Sequence, residues 1–423
     1  MNHKAIIILA IILNVIFTTV HAQNVYVNLE NSAVQRYLSE VTYISEDDSS
    51  EVAQYCTQTS LRLDLPEGAV INIPETMADS IVVKYELESD LSDTTIVSVP
   101  KDQRQVKIYN LLPQQLYNYQ VWADGEVLTE GTICTLGQVR MIYAPSIRNI
   151  RDMGGWVNVD GQRIKYGKLY RGGELNGEHV ADSVDIATLI QLGIGAELDL
   201  RAWYNEGSEV SVFGFLSDAE VESGEVPSYL YTNDSGMLVS TLTNYNWLSR
   251  WKQEFEFIVN NLRIGRAVYQ HCKYGADRTG YLSVMLEGLL GVPYDGLVKD
   301  YELTSFSESL HKKSTIDEVI SFMRKLDGET LQEKFNTFFV KRLGVSQSNI
   351  DFFLEEMLEE NELISVGVKD SFCNRETYRT GRRVYDVWGR ETQWQNHRAQ
   401  WQNSGRGIVI EVTEDGRVRK VVR

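Results

Sequence analysis

The stretch from Ala267 to Leu290 constrains this chain more than any other. Ala267-Val268-Tyr269-Gln270 is apolar and β-prone, the pattern of a short buried strand. Tyr281-Leu282-Ser283-Val284-Met285-Leu286-Glu287-Gly288-Leu289-Leu290 reads as a buried helix. The ten residues between, His271-Cys272-Lys273-Tyr274-Gly275-Ala276-Asp277-Arg278-Thr279-Gly280, must carry the chain from one to the other. A cysteine therefore ends a strand, and an arginine six residues on opens a helix. Successive backbone N–H groups of such a loop can point inward as an anion nest. The helix dipole adds partial positive charge, and Arg278 adds a planar fork suited to two oxygens. A thiol in that field is set up as a nucleophile beside a cradle for a phosphoryl group. The plainer alternative is a structural cysteine buried beside a helix cap.

The full pattern, with His before the Cys, Gly275 inside and Thr-Gly after the Arg, resembles the phosphate-binding loop of the cysteine-dependent protein tyrosine phosphatases. Upstream, Arg148-Asn149-Ile150-Arg151-Asp152-Met153-Gly154-Gly155 and Leu169-Tyr170-Arg171-Gly172-Gly173-Glu174-Leu175 resemble the opening signature of the bacterial branch of that superfamily, with Gly172 where Ser is usual. Asp199-Leu200-Arg201 with Glu206, and the helix of Tyr294–Thr304 containing Asp300-Tyr301, continue the likeness. The resemblance implies that Cys272 forms a phosphocysteine, held by Arg278 and the loop amides, and that Thr279 donates to the sulfur. Loop residues His271, Lys273, Tyr274, Gly275 and Ala276 would line the substrate site. Asp199, Arg201 and Glu206 would brace its rim by ion pairs. The general acid is Asp277, which the branch often carries before the arginine, or Asp234 of a lid. No cofactor is implied, and no cluster of His, Cys and Asp has metal-ligand spacing. The implied partner is a phosphotyrosine protein. A phosphorylated small molecule, an inositol polyphosphate or phosphoinositide, is the alternative, because Lys273 adds a cation while Ala276 stands where Lys is common. A phospho-ligand binding protein without turnover is the reading outside catalysis.

Residues 1–22 read as a secretory signal peptide: Lys4, an apolar run from Ala5 to Val15, and a small-residue exit at Val20-His21-Ala22. No later stretch is apolar for long enough to span a bilayer. The expected destination is the periplasm, the cell surface or the medium. A net charge of −18 argues against general affinity for nucleic acid or anionic membrane, so an anion site must be a local exception. Four cysteines make no disulfide scaffold. Cys56 and Cys134 bracket an N-terminal module, and a separation that sequence does not show decides whether they pair.

Residues 23–57, with Ser45-Glu46-Asp47-Asp48-Ser49-Ser50-Glu51, read as a poorly ordered acidic lead-in. Short alternating strands, starting with Leu61–Leu65, mark residues 58–138 as all-β. Leu111-Leu112-Pro113 with Tyr117, and the closing Gly131-Thr132-Ile133-Cys134-Thr135, resemble a fibronectin type III sandwich. Residues 139–362 alternate β and α and then turn helical: an α/β catalytic domain with a central sheet flanked by helices. Within it, residues 207–245 read as a long lid-like loop, and Leu248, Trp251, Phe255, Ile258 and Leu262 form one helical stripe. Residues 363–423 are a β-rich tail in which, from Asn374 on, eleven Lys or Arg face six Asp or Glu. Its Tyr385-Asp386-Val387-Trp388-Gly389-Arg390 and Gly407-Ile408-Val409-Ile410 resemble the sorting domain of the type IX secretion route.

Overall fold

The computed structural model describes residues 23–56, 62–205, 207, 209–233, 239–307 and 309–360, together with four short tail strands. The expected signal peptide lies outside the described residues. The chain divides into two compact units.

One unit takes the chain up to Val27, then Gly68–Ile108 and Gln114–Leu136. It is built from β1 (Gln23–Asn28), β2 (Ala69–Asn72), β3 (Ile81–Leu87), β4 (Asp90–Val99), β5 (Gln105–Ile108), β6 (Leu116–Ala123) and β7 (Glu126–Leu136). Five strands form one sheet in the order β1-β7-β6-β3-β4, and β2 pairs with β5 in a second. The period-two alternation read from β6 appears as burial of Tyr117, Tyr119 and Val121 on one face. Tyr119 donates its hydroxyl to the Gln23 carbonyl at 3.0 Å. The N-terminal boundary differs from the expected one, because Gln23–Asn28 contributes an edge strand. Of the expected strand at Leu61–Leu65, the described residues 62–65 do not form one: residues 63–65 turn, and Asp64 is drawn in to pair with Arg62 at 2.7 Å. Alternation alone did not reveal that Asp64 is needed as an acceptor for the Asn149 amide, 2.9 Å away.

The other unit comprises Asn28–Glu67, Tyr109–Pro113 and the chain from Gly137 onward. The acidic lead-in is therefore corrected: residues 28–56 fold, as α1 (Ser32–Glu40), α2 (Ala53–Cys56) and the turns between them. Asn31 caps α1 by accepting from the Ala33 amide. Val34, Tyr37 and Val52 are fully buried in the same core as the helices downstream. The acidic residues had masked this inward stripe. Cys56 is a buried free thiol whereas Cys134 is disulfide-bonded, so the two do not pair.

The central sheet of this unit uses β8 (Arg151–Asp152), β10 (Leu169–Gly172), β11 (Ile194–Asp199), β12 (Tyr229–Tyr231) and β13 (Ala267–His271), with β9 (Gln162–Ile164) outside it. The order is β12-β11-β13-β10-β8, parallel except for β8. All five residues of β13 are buried, as a central parallel strand requires. The expected lid is corrected in part, since Tyr229–Tyr231 within it pairs in register with Glu197–Asp199 as the sheet's edge. Three strand residues among Gly, Ser and Pro give too short a pattern to read.

The helices are α3 (Ser183–Gln191), α4 (Tyr245–Arg263), α5 (Asp277–Leu289), α6 (Tyr294–Glu302), α7 (Ser314–Met323), α8 (Leu331–Thr337) and α9 (Gln347–Met357), followed by β14 (Leu358–Glu360), which pairs with β9. The predicted stripe of α4 packs inward, with Trp251, Phe255, Ile258 and Leu262 buried. In the tail, β15 (Val384–Tyr385), β16 (Glu391–Thr392), β17 (Ile408–Val412) and β18 (Val418–Val422) form an antiparallel sheet in the order β16-β15-β17-β18.

The folded N-terminal segment converges on Glu302 at the end of α6, which is fully buried. Tyr37 and Tyr43 each donate a hydroxyl to its Oε2 at 2.6 Å, Ser50 donates to Oε1 at 2.5 Å, and the Lys313 amide donates to Oε1 at 2.8 Å. Four donors satisfy one buried carboxylate, which is the condition for a charge to persist there. Tyr37→Phe deletes one charge-assisted bond and is expected to lower unfolding stability by about 1.5–3 kcal/mol in urea titration. A lead-in that did not fold would leave the midpoint unmoved.

Candidate active site

The parallel strands end level. His271 is opposite Gly172 on one side and Asp199 on the other, so the loops after β10, β11 and β13 leave the same edge of the sheet. That edge, beyond the carboxyl ends of parallel strands, is where open α/β sheets bind ligands. Cys272 follows β13 directly and is a free thiol, 3% exposed. Gly275 has φ +65°, and a Cβ there would lie 2.3 Å from the Gly172 carbonyl carbon. Only glycine allows both the left-handed turn and that approach. Gly172 is explained in the same way: a Cβ on it would come within 2.4 Å of the Tyr269 hydroxyl. Tyr269 fills the space a serine would need and donates to the Gly173 carbonyl at 2.6 Å.

The loop is shaped through its carbonyls. The Lys273 carbonyl accepts from the Glu174 amide at 3.1 Å. The Tyr274 carbonyl accepts from Asn149 Nδ2 at 3.4 Å, and the Gly275 carbonyl from Asn149 Nδ2 at 2.8 Å and Arg171 Nη2 at 3.0 Å. In a trans peptide the N–H points opposite the C=O. The amides of Tyr274, Gly275 and Ala276 therefore face away from this support. Among the described residues none of the amides from Lys273 to Asp277 has a protein acceptor. They are adjacent donors at the start of α5, ready for an anion.

Behind the loop lies a buried charge cluster. Asp300 Oδ1 accepts from Arg151 Nε at 3.0 Å, and Asp300 Oδ2 accepts from Arg171 Nη1 at 2.5 Å. Arg151 Nη1 donates to Asn149 Oδ1 at 2.5 Å, orienting the amide that grips Gly275. Burial opposes the charge on Asp300, but the two guanidiniums outweigh it and hold the carboxyl below its usual range. Burial, then the neighbouring Arg151, brings Arg171 down to about 10. Glu287 of α5 is fully buried, and burial together with the nearby Asp300 pushes its carboxyl well above the usual range.

The remaining predicted residues are placed as follows. Arg278 Nη1 donates to the Leu200 carbonyl at 3.0 Å and to Asn205 Oδ1 at 3.2 Å, so the chain after β11 aims the guanidinium. The Thr279 hydroxyl is buried and has no hydrogen-bond partner among the described residues. Ala276 is buried, and Tyr274 is 38% exposed. His271 is fully buried and bonds through Nε2 to Glu197 at 2.9 Å, so it holds the strand end rather than lining the loop. Lys273 Nζ is turned onto Glu178 at 2.5 Å. Asp199 and Arg201 form a buried ion pair at 2.7 Å, and Tyr229 donates to the same carboxylate at 3.0 Å. Burial opposes the charge on Asp199, yet the field of His271 and the bonds from Arg201 hold its carboxyl low. Arg201 also reaches Glu174 at 3.4 Å. Asp277 opens α5 with 45% of its side chain exposed, against His311 Nε2 at 3.3 Å and the Tyr301 hydroxyl at 3.4 Å. Glu206 and Asp234 lie outside the described residues.

Several supports had no assigned role: Asn149, Arg151, Arg171 and Asp300 stand inside the recognised motifs. Glu197, Glu178, Asn205 and His311 carried no local signal, because each partner is distant in sequence. Among the described residues, no group of three or more His, Cys, Asp or Glu could hold a metal ion. Nor is any described helix long and apolar enough to cross a membrane.

The tyrosine phosphatase family model matches residues 142–362, just over half of the 423-residue chain. This chain belongs to the tyrosine phosphatase family. It is also 26% identical over 166 residues to a protein of Cupriavidus necator provisionally named a tyrosine-protein phosphatase. That match covers 37% of this chain and 60% of the relative's length. The family span holds the Asn149–Arg151 signature, the Cys272 loop and the Asp300 support together.

Two outcomes follow for this tyrosine phosphatase family member. Asp300→Asn leaves two buried guanidiniums without a counter-charge and is expected to cost about 3–5 kcal/mol in denaturant unfolding. Glu287 binds its proton more tightly when folded than the reference carboxyl of about 4.3 does. Its contribution is thus fully present below that value and is lost as pH rises toward the folded one. Glu287→Gln should flatten the fall in thermal midpoint between about pH 5 and 8; an unchanged slope would show that Glu287 is not the group responsible.

Proposed function

We propose that this protein is an exported phosphomonoester hydrolase acting on phosphotyrosine through a phosphocysteine on Cys272. The observation that carries the reading is the set of loop carbonyls held from behind by Glu174, Asn149 and Arg171, which leaves adjacent amides available beside an aimed arginine. The Cys272 thiolate attacks phosphorus in line; the S–P bond forms as the ester O–P bond breaks. Arg278 and the amides hold the equatorial oxygens, where positioning and charge stabilisation supply most of the rate. Asp277 protonates the leaving oxygen. Water then attacks phosphorus, the S–P bond breaks and phosphate departs. The unpartnered Thr279 hydroxyl has a role to fill at that stage, donating to the departing sulfur.

Phosphotyrosine is favoured over inositol polyphosphates because the extra cation, Lys273, is already engaged by Glu178. The half-exposed Tyr274 ring offers a flank for an aryl ester. The leader at residues 1–22 and the basic tail argue for export, with the tail as an address rather than an anchor. The all-β unit serves as a fibronectin-like spacer in this reading, since fold alone assigns it no activity.

A phosphate-release panel tests the assignment, using phosphotyrosine, phosphoserine, inositol hexakisphosphate and phosphoinositides with the reduced protein. Cys272→Ser should abolish release from phosphotyrosine, and Arg278→Lys, which lacks the fork, should lower kcat about 10²–10³-fold. Undiminished turnover by Cys272→Ser would remove the phosphocysteine.

A further inference from the structure

A general acid at the start of a cationic loop has a problem. The hydrogen bond from His311, and after it the charge of Arg278 and the helix dipole, favour the carboxylate of Asp277, but protonating a leaving oxygen requires the carboxylic acid. His311, ahead of α7, bears on that problem. Its Nδ1 lies 2.5 Å from the Ser309 carbonyl oxygen, which can only accept, so Nδ1 carries a hydrogen. A neutral ring would then turn the bare lone pair of Nε2 toward Asp277 Oδ1, 3.3 Å away. Two acceptors do not face each other at that distance without a proton between them.

We infer that Asp277 and His311 share one proton and together act as the acid of this site, with His311 as a positioning residue that holds the proton between turnovers. This rests on the phosphatase reading above. The histidine is built to stay there. Its amide donates to Ser305 Oγ at 2.8 Å, and that hydroxyl donates back to the His311 carbonyl at 3.0 Å. Its ring meets Tyr301 edge-on at 5.5 Å, and its side chain is only 10% exposed. The other titratable or charged groups facing the pair are Arg278 and Tyr281 of α5 and Tyr301 of α6. Both His311 and Tyr301 engage Oδ1, so Asp277 Oδ2 has no partner among the described residues and can meet an incoming oxygen.

In the resting pair the hydrogen bond from His311, opposed by burial, holds the Asp277 carboxyl below the usual carboxylate range. With the Ser309 carbonyl facing Nδ1 and Asp277 Oδ1 facing Nε2, both ring nitrogens have an acceptor, and the shared proton rests on Nε2 in this reading. A dianionic ester in the loop adds negative charge beside Asp277 and draws the proton onto the carboxyl. The carboxyl passes it to the leaving oxygen as the O–P bond breaks. In the second half-reaction the carboxylate takes one proton from the attacking water and returns it to Nε2. One proton leaves with the alcohol and one is recovered from water.

The test compares phenyl phosphate, whose leaving group needs the acid, with p-nitrophenyl phosphate, whose leaving group needs it far less. Reduced full-length protein carries His311→Gln or His311→Asn, alone and combined with Asp277→Asn. Expected for either single variant is a fall in kcat of about 10²-fold on phenyl phosphate, with little change on p-nitrophenyl phosphate and KM unaltered on both. The alkaline limb of kcat against pH should move to lower pH on phenyl phosphate, because a lone carboxyl gives up its proton earlier than the pair. The double variant should lose no more than Asp277→Asn alone. Wild-type kcat on phenyl phosphate with the alkaline limb in place, or equal slowing of both esters, overturns the shared proton. Turnover of either ester by Cys272→Ser would instead remove the underlying phosphatase reading.

Discussion

One carboxylate, Asp300, sets the shape of the site. It sits between Arg151 and Arg171, with all three side chains at most 1% exposed. Such a cluster yields little net stability when formed, but removing one member strands charges in a medium that cannot solvate them. Its value is geometric. Arg171 spends its second nitrogen on the Gly275 carbonyl, and Arg151 orients Asn149, which grips the same oxygen. The direction of the loop amides is thus decided by residues on two strands, a helix and the bend before β8, none of them in the loop.

The same helix carries a second task. Asp300 and Glu302 are two residues apart on α6, a spacing that places side chains on different faces of a helix. Asp300 turns to the arginines of the sheet, and Glu302 turns to Tyr37, Tyr43 and Ser50 of the N-terminal segment. The loop support and the attachment of residues 28–56 therefore share one short, almost wholly buried strut. This links the catalytic unit's stability to a segment whose composition gives little sign of belonging to it.

Features whose determinants are neighbours in the chain were legible. The strand ending at Cys272, the helix opened by Asp277-Arg278 and the stripe of α4 all rest on local spacing, and all three form. Features decided by distant partners were not. Acidic residues in 28–56 hid Val34 and Tyr37, because net charge reports the solvated face rather than the packed one. The alternation at Leu61–Leu65 yielded to the demand of the Asn149 amide for Asp64. Strand β12 is too short to show a period, and it exists because β11 offers an edge to pair with. His271 belonged to the motif, yet its buried bond to Glu197 gives it a holding role that spacing could not distinguish from contact with substrate.

By itself the sequence determined which chemistry was on offer: a thiol, an arginine and a run of backbone amides in fixed order, because those are set by covalent succession along one strand–loop–helix segment. Only the tertiary structure decided which way the amides face, whether the extra cation Lys273 is unpaired, and which group lies against Asp277. Those depend on Asn149, Arg171, Glu178 and His311, and on distances of a few ångströms between segments far apart in the chain. Electrostatic and hydrogen-bond energies fall steeply over such distances, so no reading of local pattern can supply them.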